Sequence, residues 1–177
     1  MPAAAAAELP PDLVELGAVR GAYGVKGWLR VALLGSDGTV LLTVADWWVL
    51  KAGRAWQVAP QDRRRHADLL LAKWPGCESK EDAESLKGAV LAVPRSAFPE
   101  AATGEYYWAD LLGCRVVNRS GDELGTVSGL RENAGGQWLE VSHGPAGEVR
   151  LIPLVEQYVE AVDPSARSVR VDWQKDW

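Results

Sequence analysis

Apolar positions along this chain come in short bursts that alternate with polar ones and are punctuated by glycine, the pattern of strands and tight turns. VELGAVRG (14–21) and GWLRVALL (27–34) flank a link containing Gly24 and Gly27, and DWWVLKA (46–52) follows the turn SDG at 36–38. RAWQVAP (54–60) and ADLLLAKW (67–74) form a second pair, bracketing the basic run Arg63-Arg64-Arg65-His66. β-Branched and aromatic residues dominate these segments, which favours a pleated, half-buried surface. One helix is expected next. Ser79 precedes Asp82 by three residues as in a capping box, and Ala83, Leu86 and the terminating Gly88 complete an amphipathic element of two turns. AVLAVPR (89–95) then closes a first set of strands.

FPEAATGE (98–105) breaks the pattern with Pro99, Thr103 and Gly104 and reads as a linker. Beyond it come CRVVNRS (114–120), ELGTVSGLRE (123–132), GQWLEVS (136–142), GEVRLIP (147–153) and SVRVDW (168–173), with turns at 120–122, 133–136, 143–147 and 163–166. LVEQYVEAV (154–162) reads as a helical turn leading into a strand. Strands this short, with a turn every 8–12 residues, point to a second small barrel. The expected organisation is a loose tail at 1–12, a first β-barrel at 13–97, a linker at 98–105 and a second β-barrel at 106–177.

With 177 residues, 47% apolar and 24% charged, the composition is that of an ordinary globular protein. No apolar run approaches the ~18–20 residues that cross a bilayer. Residues 1–12 lack the basic start and apolar stretch of a signal peptide, so a cytoplasmic protein is expected, with no membrane partner. Cys77 and Cys114 stand 37 positions apart with no metal-ligand spacing around them, and His66 and His143 are too few for a metal site without carboxylate help. No phosphate-binding loop, nucleophile elbow or paired-histidine zinc motif occurs, and the glycines at 17, 21, 24 and 27 do not have dinucleotide-loop spacing. No catalytic, cofactor-binding or metal-binding residue is therefore assigned.

Charge is split along the chain. Residues 17–77 carry a net +5, from Arg20, Lys26, Arg30, Lys51, Arg54, Arg63, Arg64, Arg65 and Lys73 against four acids, while residues 78–177 carry −7 within an overall −5. A basic half suits nucleic acid and an acidic half suits a basic protein, unless the charges only solvate two faces. Nine tryptophans promise well-filled cores, and any exposed one beside a basic residue would be a platform for RNA bases or a protein hot spot. The densest cluster is Glu105-Tyr106-Tyr107-Trp108-Ala109-Asp110-Leu111-Leu112-Gly113, directly after the linker. Three consecutive aromatics leave the backbone in different directions, so at least one faces a partner or the other domain.

EYYWADLLGCRVVNRSGDELGTVSGL (105–130) and EVRLIPLVEQYVEAVDPSARSVRVD (148–172) resemble the PRC-barrel domain of the bacterial ribosome maturation factor RimM family. LGAVRGAYGVKGWLRV (16–31) and RRHADLLLAKWPGCESKEDAESLKGAVLAVPRSAF (64–98) resemble its N-terminal domain. The resemblance implies a mostly β protein: a barrel of the translation-factor type, then a PRC barrel. It also implies an assembly factor rather than an enzyme, one that binds the immature small ribosomal subunit through the head protein numbered nineteen and nearby 16S rRNA. The family's paired tyrosines fall on Tyr106 and Tyr107. The partner-binding candidates are Tyr106, Tyr107, Trp108 and Asp110, and the RNA-binding candidates are Arg20, Lys26, Arg30, Arg63, Arg64 and Arg65. The chain departs from the pattern at Tyr23, at Asn133-Ala134-Gly135-Gly136-Gln137 and in the tail Trp173–Trp177. A general RNA-binding module and a structural PRC-barrel interaction protein are the alternatives; net acidity weighs against the first and the lack of a membrane anchor against the second. Nothing calls for more than a monomer.

Overall fold

The computed structural model describes residues 8–177, so residues 1–7 of the expected tail lie outside the described residues. The chain divides into two compact units, Met1–Glu100 and Ala101–Trp177. Both are built mainly of strands.

The first unit contains β1 (Leu13–Tyr23), β2 (Trp28–Leu33), β3 (Trp47–Lys51), β4 (Arg54–Val58), β5 (Asp62–His66), β6 (Leu69–Lys73), α1 (Lys80–Ser85) and β7 (Val90–Pro94). Its strands form one seven-stranded sheet in the order β4-β3-β7-β1-β2-β6-β5, every pair antiparallel. Val19, Val31 and Leu70 face one another across β1, β2 and β6 and, with Leu29 two residues along β2, are fully or almost fully buried on the inner face, while β3, β6 and β7 each bury three consecutive residues. β1 bends through two bulges, between Glu15 and Gly17 against β7 and between Val19 and Gly21 against β2. Bulges of this kind raise local twist and curl a sheet around its core. The segment before β1 is tied down at Asp12, whose carboxylate accepts the Ser96 N–H at 2.9 Å.

Helix α1 forms where the capping box places it. Asp82 N–H donates to Ser79 Oγ at 3.1 Å, and Ser79 N–H donates back to the Asp82 carboxylate at 3.0 Å. Its C-terminal carbonyls are met by Lys51, whose ammonium donates to the carbonyl oxygens of Ser85 and Lys87. Glu84 reaches β1 just past its second bulge, accepting the Ala22 N–H at 2.8 Å.

Two features of this unit differ from the sequence expectation. Ser36–Leu42 is a 3-10 helix rather than a bare turn, and it buries Val40 and Leu41 under the sheet. Asp62–His66, expected between strands, is itself the edge strand β5. A charged edge is a common device against edge-to-edge pairing, so a run that looks like a loop by polarity can complete a sheet.

The second unit contains α2 (Trp108–Leu111), β8 (Arg115–Asn118), β9 (Glu123–Asn133), β10 (Gly136–His143), β11 (Glu148–Pro153), β12 (Val159–Asp163) and β13 (Ser168–Val171). The sheet order is β11-β10-β9-β8-β13-β12. All pairs are antiparallel except β8 with β13, which run parallel. The core gathers Leu111, Val116, Leu139, Val141, Ile152 and Val169. The helical turn α2 was not expected; it lets Leu111 drop into that core while the preceding aromatics stay nearer the surface. Gly125 holds the bulge of β9, at φ +132, where a Cβ would collide with the Ser142 carbonyl oxygen. Only Trp47, Trp48 and Trp74 of the nine tryptophans are buried, so the remaining six are at least partly available to solvent.

Candidate functional site

Strand register sorts the basic residues of the first unit onto two faces. Directly opposed residues on neighbouring strands share a face. Arg30 of β2 opposes Leu71 of β6, and Leu71 opposes Arg64 of β5. Trp28 opposes Lys73, and Tyr23 opposes Trp28. Tyr23, Trp28, Arg30, Arg64 and His66 therefore lie on the outer face, away from the side that carries Leu29, Val31 and Leu70.

On that face the Arg64 guanidinium lies over the Trp28 ring, 4.5 Å from its centroid, and is paired with Asp62 at 2.9 Å. Tyr23, 43% exposed, meets His66 with ring centroids 5.7 Å apart and planes tilted by 55°. Arg30, two residues along β2 from Trp28, is exposed on the same face. Arg20 is exposed at the second bulge of β1, and Lys26 is exposed in the turn between β1 and β2.

Arg63 faces the other way. It is half-buried, its Nη1 donates to the carbonyl oxygens of Leu41 and Val44, and its guanidinium sits 5.9 Å from the Trp47 ring centroid. That side chain ties the edge strand to the 3-10 segment. Arg65 shares its side of β5 by the two-residue period but is exposed. The basic run is thus divided: Arg64 joins the outer aromatic cluster, and Arg63 does not. The sequence reading named neither Trp28, Tyr23 nor His66 for this face, because only cross-strand register brings them beside Arg64.

In the second unit the aromatic run precedes and enters α2. Tyr106 is 36% exposed, while Tyr107, Trp108 and Asp110 are half-buried. The Asp110 N–H donates to the Tyr107 carbonyl oxygen at 3.0 Å, and the Asp110 carbonyl oxygen accepts the Cys114 thiol at 3.0 Å. Tyr106 borders a crevice of about 40 Å³ with Gly104, Leu154, Val155, Glu156 and Val159. That volume is far below the ~300 Å³ of a typical small-molecule pocket, so the surroundings of Tyr106 suit a docked side chain better than a metabolite.

Burial pushes the thiols of Cys77 and Cys114 above their ordinary value, so both stay protonated near neutrality. Among the described residues no group of three or more His, Cys, Asp or Glu side chains is arranged to hold a metal ion, and no helix is long and apolar enough to cross a membrane.

Comparison with known proteins matches both units in order. Residues 14–98 fit the RimM N-terminal domain and residues 108–177 fit the RimM PRC barrel domain. The ribosome maturation factor RimM of Chromobacterium violaceum is 42% identical over 94% of this chain and 98% of its own length. That of Cupriavidus metallidurans is 41% identical over 96% of this chain and 84% of its own. A crystal structure of a 16S ribosomal RNA processing protein RimM from Pseudomonas aeruginosa aligns at 29% identity with a TM-score of 0.47, covering 94% of this chain and all of that one. With two family-specific domains in sequence and relatives this similar over nearly their full length, the chain belongs to the RimM family of ribosome maturation factors.

Proposed function

We propose that this protein is a non-catalytic assembly factor that binds the immature small ribosomal subunit. In this reading it contacts the head ribosomal protein numbered nineteen and adjacent 16S rRNA, aids maturation of the head and rRNA processing, and works as a cytoplasmic monomer. Each unit is a barrel, one over residues 13–97 and one over 106–177, joined through 98–105. The observation that carries the reading is the family match over both units in order. Charge agrees with it: the +5 segment at 17–77 suits phosphates and the −7 segment at 78–177 suits a basic ribosomal protein.

Within this reading Tyr106 and Tyr107 anchor the protein partner, supported by Trp108 and Asp110. Arg20, Lys26, Arg30, Arg64 and Arg65 meet RNA, and Arg63 holds β5 in place beside them. The test is co-sedimentation of the full chain with precursor small subunits, mature small subunits and whole ribosomes at low and moderate salt. Enrichment on precursor or free small subunits, with none on whole ribosomes, is the expected result. Equal binding to every RNA-containing fraction would replace this reading with a general RNA binder. Truncating both tyrosines to alanine is expected to weaken binding about thirtyfold or more, the usual loss for a buried aromatic anchor, with an unchanged melting temperature. A double variant that unfolds would instead make the pair a structural seal.

A further inference from the structure

We infer that the outer face formed by β5, β6 and β2 is a stacking platform for unpaired RNA bases, so that the first unit selects single-stranded over duplex RNA. This deepens the proposed function and rests on its claim that the first unit meets RNA.

Three observations converge on one face. First, two planar pairs lie side by side there, Arg64 over Trp28 at 4.5 Å and Tyr23 against His66 at 5.7 Å. Second, the members are open to solvent: Tyr23 is 43% exposed, the Arg64 side chain is 60% exposed, and Arg30 and His66 are exposed. Third, the ion pair with Asp62 holds the edge of the Arg64 guanidinium at 2.9 Å. A guanidinium fixed by its edge and backed by an indole presents its remaining flat face outward, as base stacking requires.

The kind of partner follows from this chemistry. Exposed aromatic and guanidinium planes are of use only to a ligand that can offer free π-faces, and bases inside a duplex have theirs covered by neighbours. Arg30 beside the planes, with Arg20 and Lys26 at the same end of the β1–β2 hairpin, supplies cations for the intervening phosphates. An apolar protein hot spot would have a dehydrated centre, whereas this face carries the exposed charges of Arg64 and Arg30 beside its rings.

The experiment compares binding of the full chain to a single-stranded RNA of about ten nucleotides and to an RNA hairpin with the same number of phosphates, by fluorescence anisotropy at fixed salt. The wild-type chain is expected to bind the single strand more tightly. Arg64→Lys keeps the charge but removes the plane, and Tyr23→Ala removes an exposed ring. Each is expected to weaken single-strand binding about fivefold or more while leaving hairpin binding within about twofold. Trp28 is half-buried, so Trp28→Phe, which keeps a ring, is paired with Trp28→Leu, which does not, and thermal melting checks both folds. Retained binding in the phenylalanine variant and lost binding in the leucine variant support the platform. Equal affinity of the wild-type chain for the two RNAs, or wild-type single-strand binding by both Arg64→Lys and Tyr23→Ala, overturns it. The assembly reading fails separately: a chain that prefers single strands yet ignores precursor subunits sinks that reading alone, and one that binds precursor subunits without the preference sinks the platform alone.

Discussion

At Gly27 the backbone runs at φ +78, and a Cβ would collide with the carbonyl oxygen of Cys77. Gly24, three residues earlier at φ +67, has nothing within 4 Å of the same position. Alanine at Gly24 therefore adds only the left-handed penalty of ~1–2 kcal/mol. Alanine at Gly27 adds a backbone clash that no rotamer relieves and is expected to cost about 2–4 kcal/mol. Urea midpoints of the two variants check the difference, and equal losses would mean that the Cys77 loop gives way freely. The arginines of β5 make a second contrast. Arg63→Ala orphans two partly buried acceptors, the carbonyl oxygens of Leu41 and Val44, and is expected to cost about 1–3 kcal/mol. Arg64→Ala breaks an exposed pair with Asp62 and is expected to cost ~0–1 kcal/mol. Similar losses from the two substitutions would show that the inward role of Arg63 is wrong.

Elements whose rules are local could be read from the sequence, and those decided by distant partners could not. Ser79, Asp82 and Gly88 announce α1 because a capping box and a terminating glycine act within one segment. The strands of the central sheets show because short apolar, β-branched and aromatic runs bounded by turns are written in neighbouring residues. Nothing local says that β8 pairs in parallel with β13, since that pairing joins residues about fifty positions apart. Nor does composition reveal β5, whose five polar residues gain their strand geometry from β6. The candidate site divides the same way: Tyr106 to Trp108 are conspicuous as a run, whereas Trp28, Tyr23 and His66 join Arg64 only through register. The cap at α1 also sets an acid response. Hydrogen bonding from the Ser79 side chain, then from the Glu78 and Ser79 backbone, holds the Asp82 carboxyl below its ordinary value of 3.8. The folded state thus favours the ionised form; this stabilisation is complete above the unfolded value and fades as pH falls from 3.8 through the lower folded value. Asp82→Asn should flatten the decline of the urea midpoint between about pH 5 and pH 2, and an unaltered decline would remove the cap from the acid limb.

For the whole molecule, the charge split and the two candidate surfaces imply two different responses to salt. A basic surface that neutralises phosphates releases counterions, so its contribution falls linearly in log affinity against log salt, by about 0.7 per phosphate on single-stranded RNA. Tyrosine anchors in a protein contact release few ions and act mainly on the dissociation rate. Variants on the two units should therefore separate in a titration of the full chain against precursor small subunits. Arg20→Gln with Arg30→Gln is expected to lower the salt slope by about 1.4, the effect of two lost phosphate contacts, so that the deficit shrinks as salt rises. Tyr106→Ala should displace the line downward and leave its slope unchanged, because the removed ring carries no charge. The overall charge of −5 sharpens the test, since a chain that is net acidic gains salt-sensitive affinity for RNA only from a local concentration of cations. If the arginine pair moved the line without changing its slope, the outer face of the first unit would not meet phosphate. If the tyrosine variant changed the slope as much as the arginines do, the two units could not have divided the partners between them.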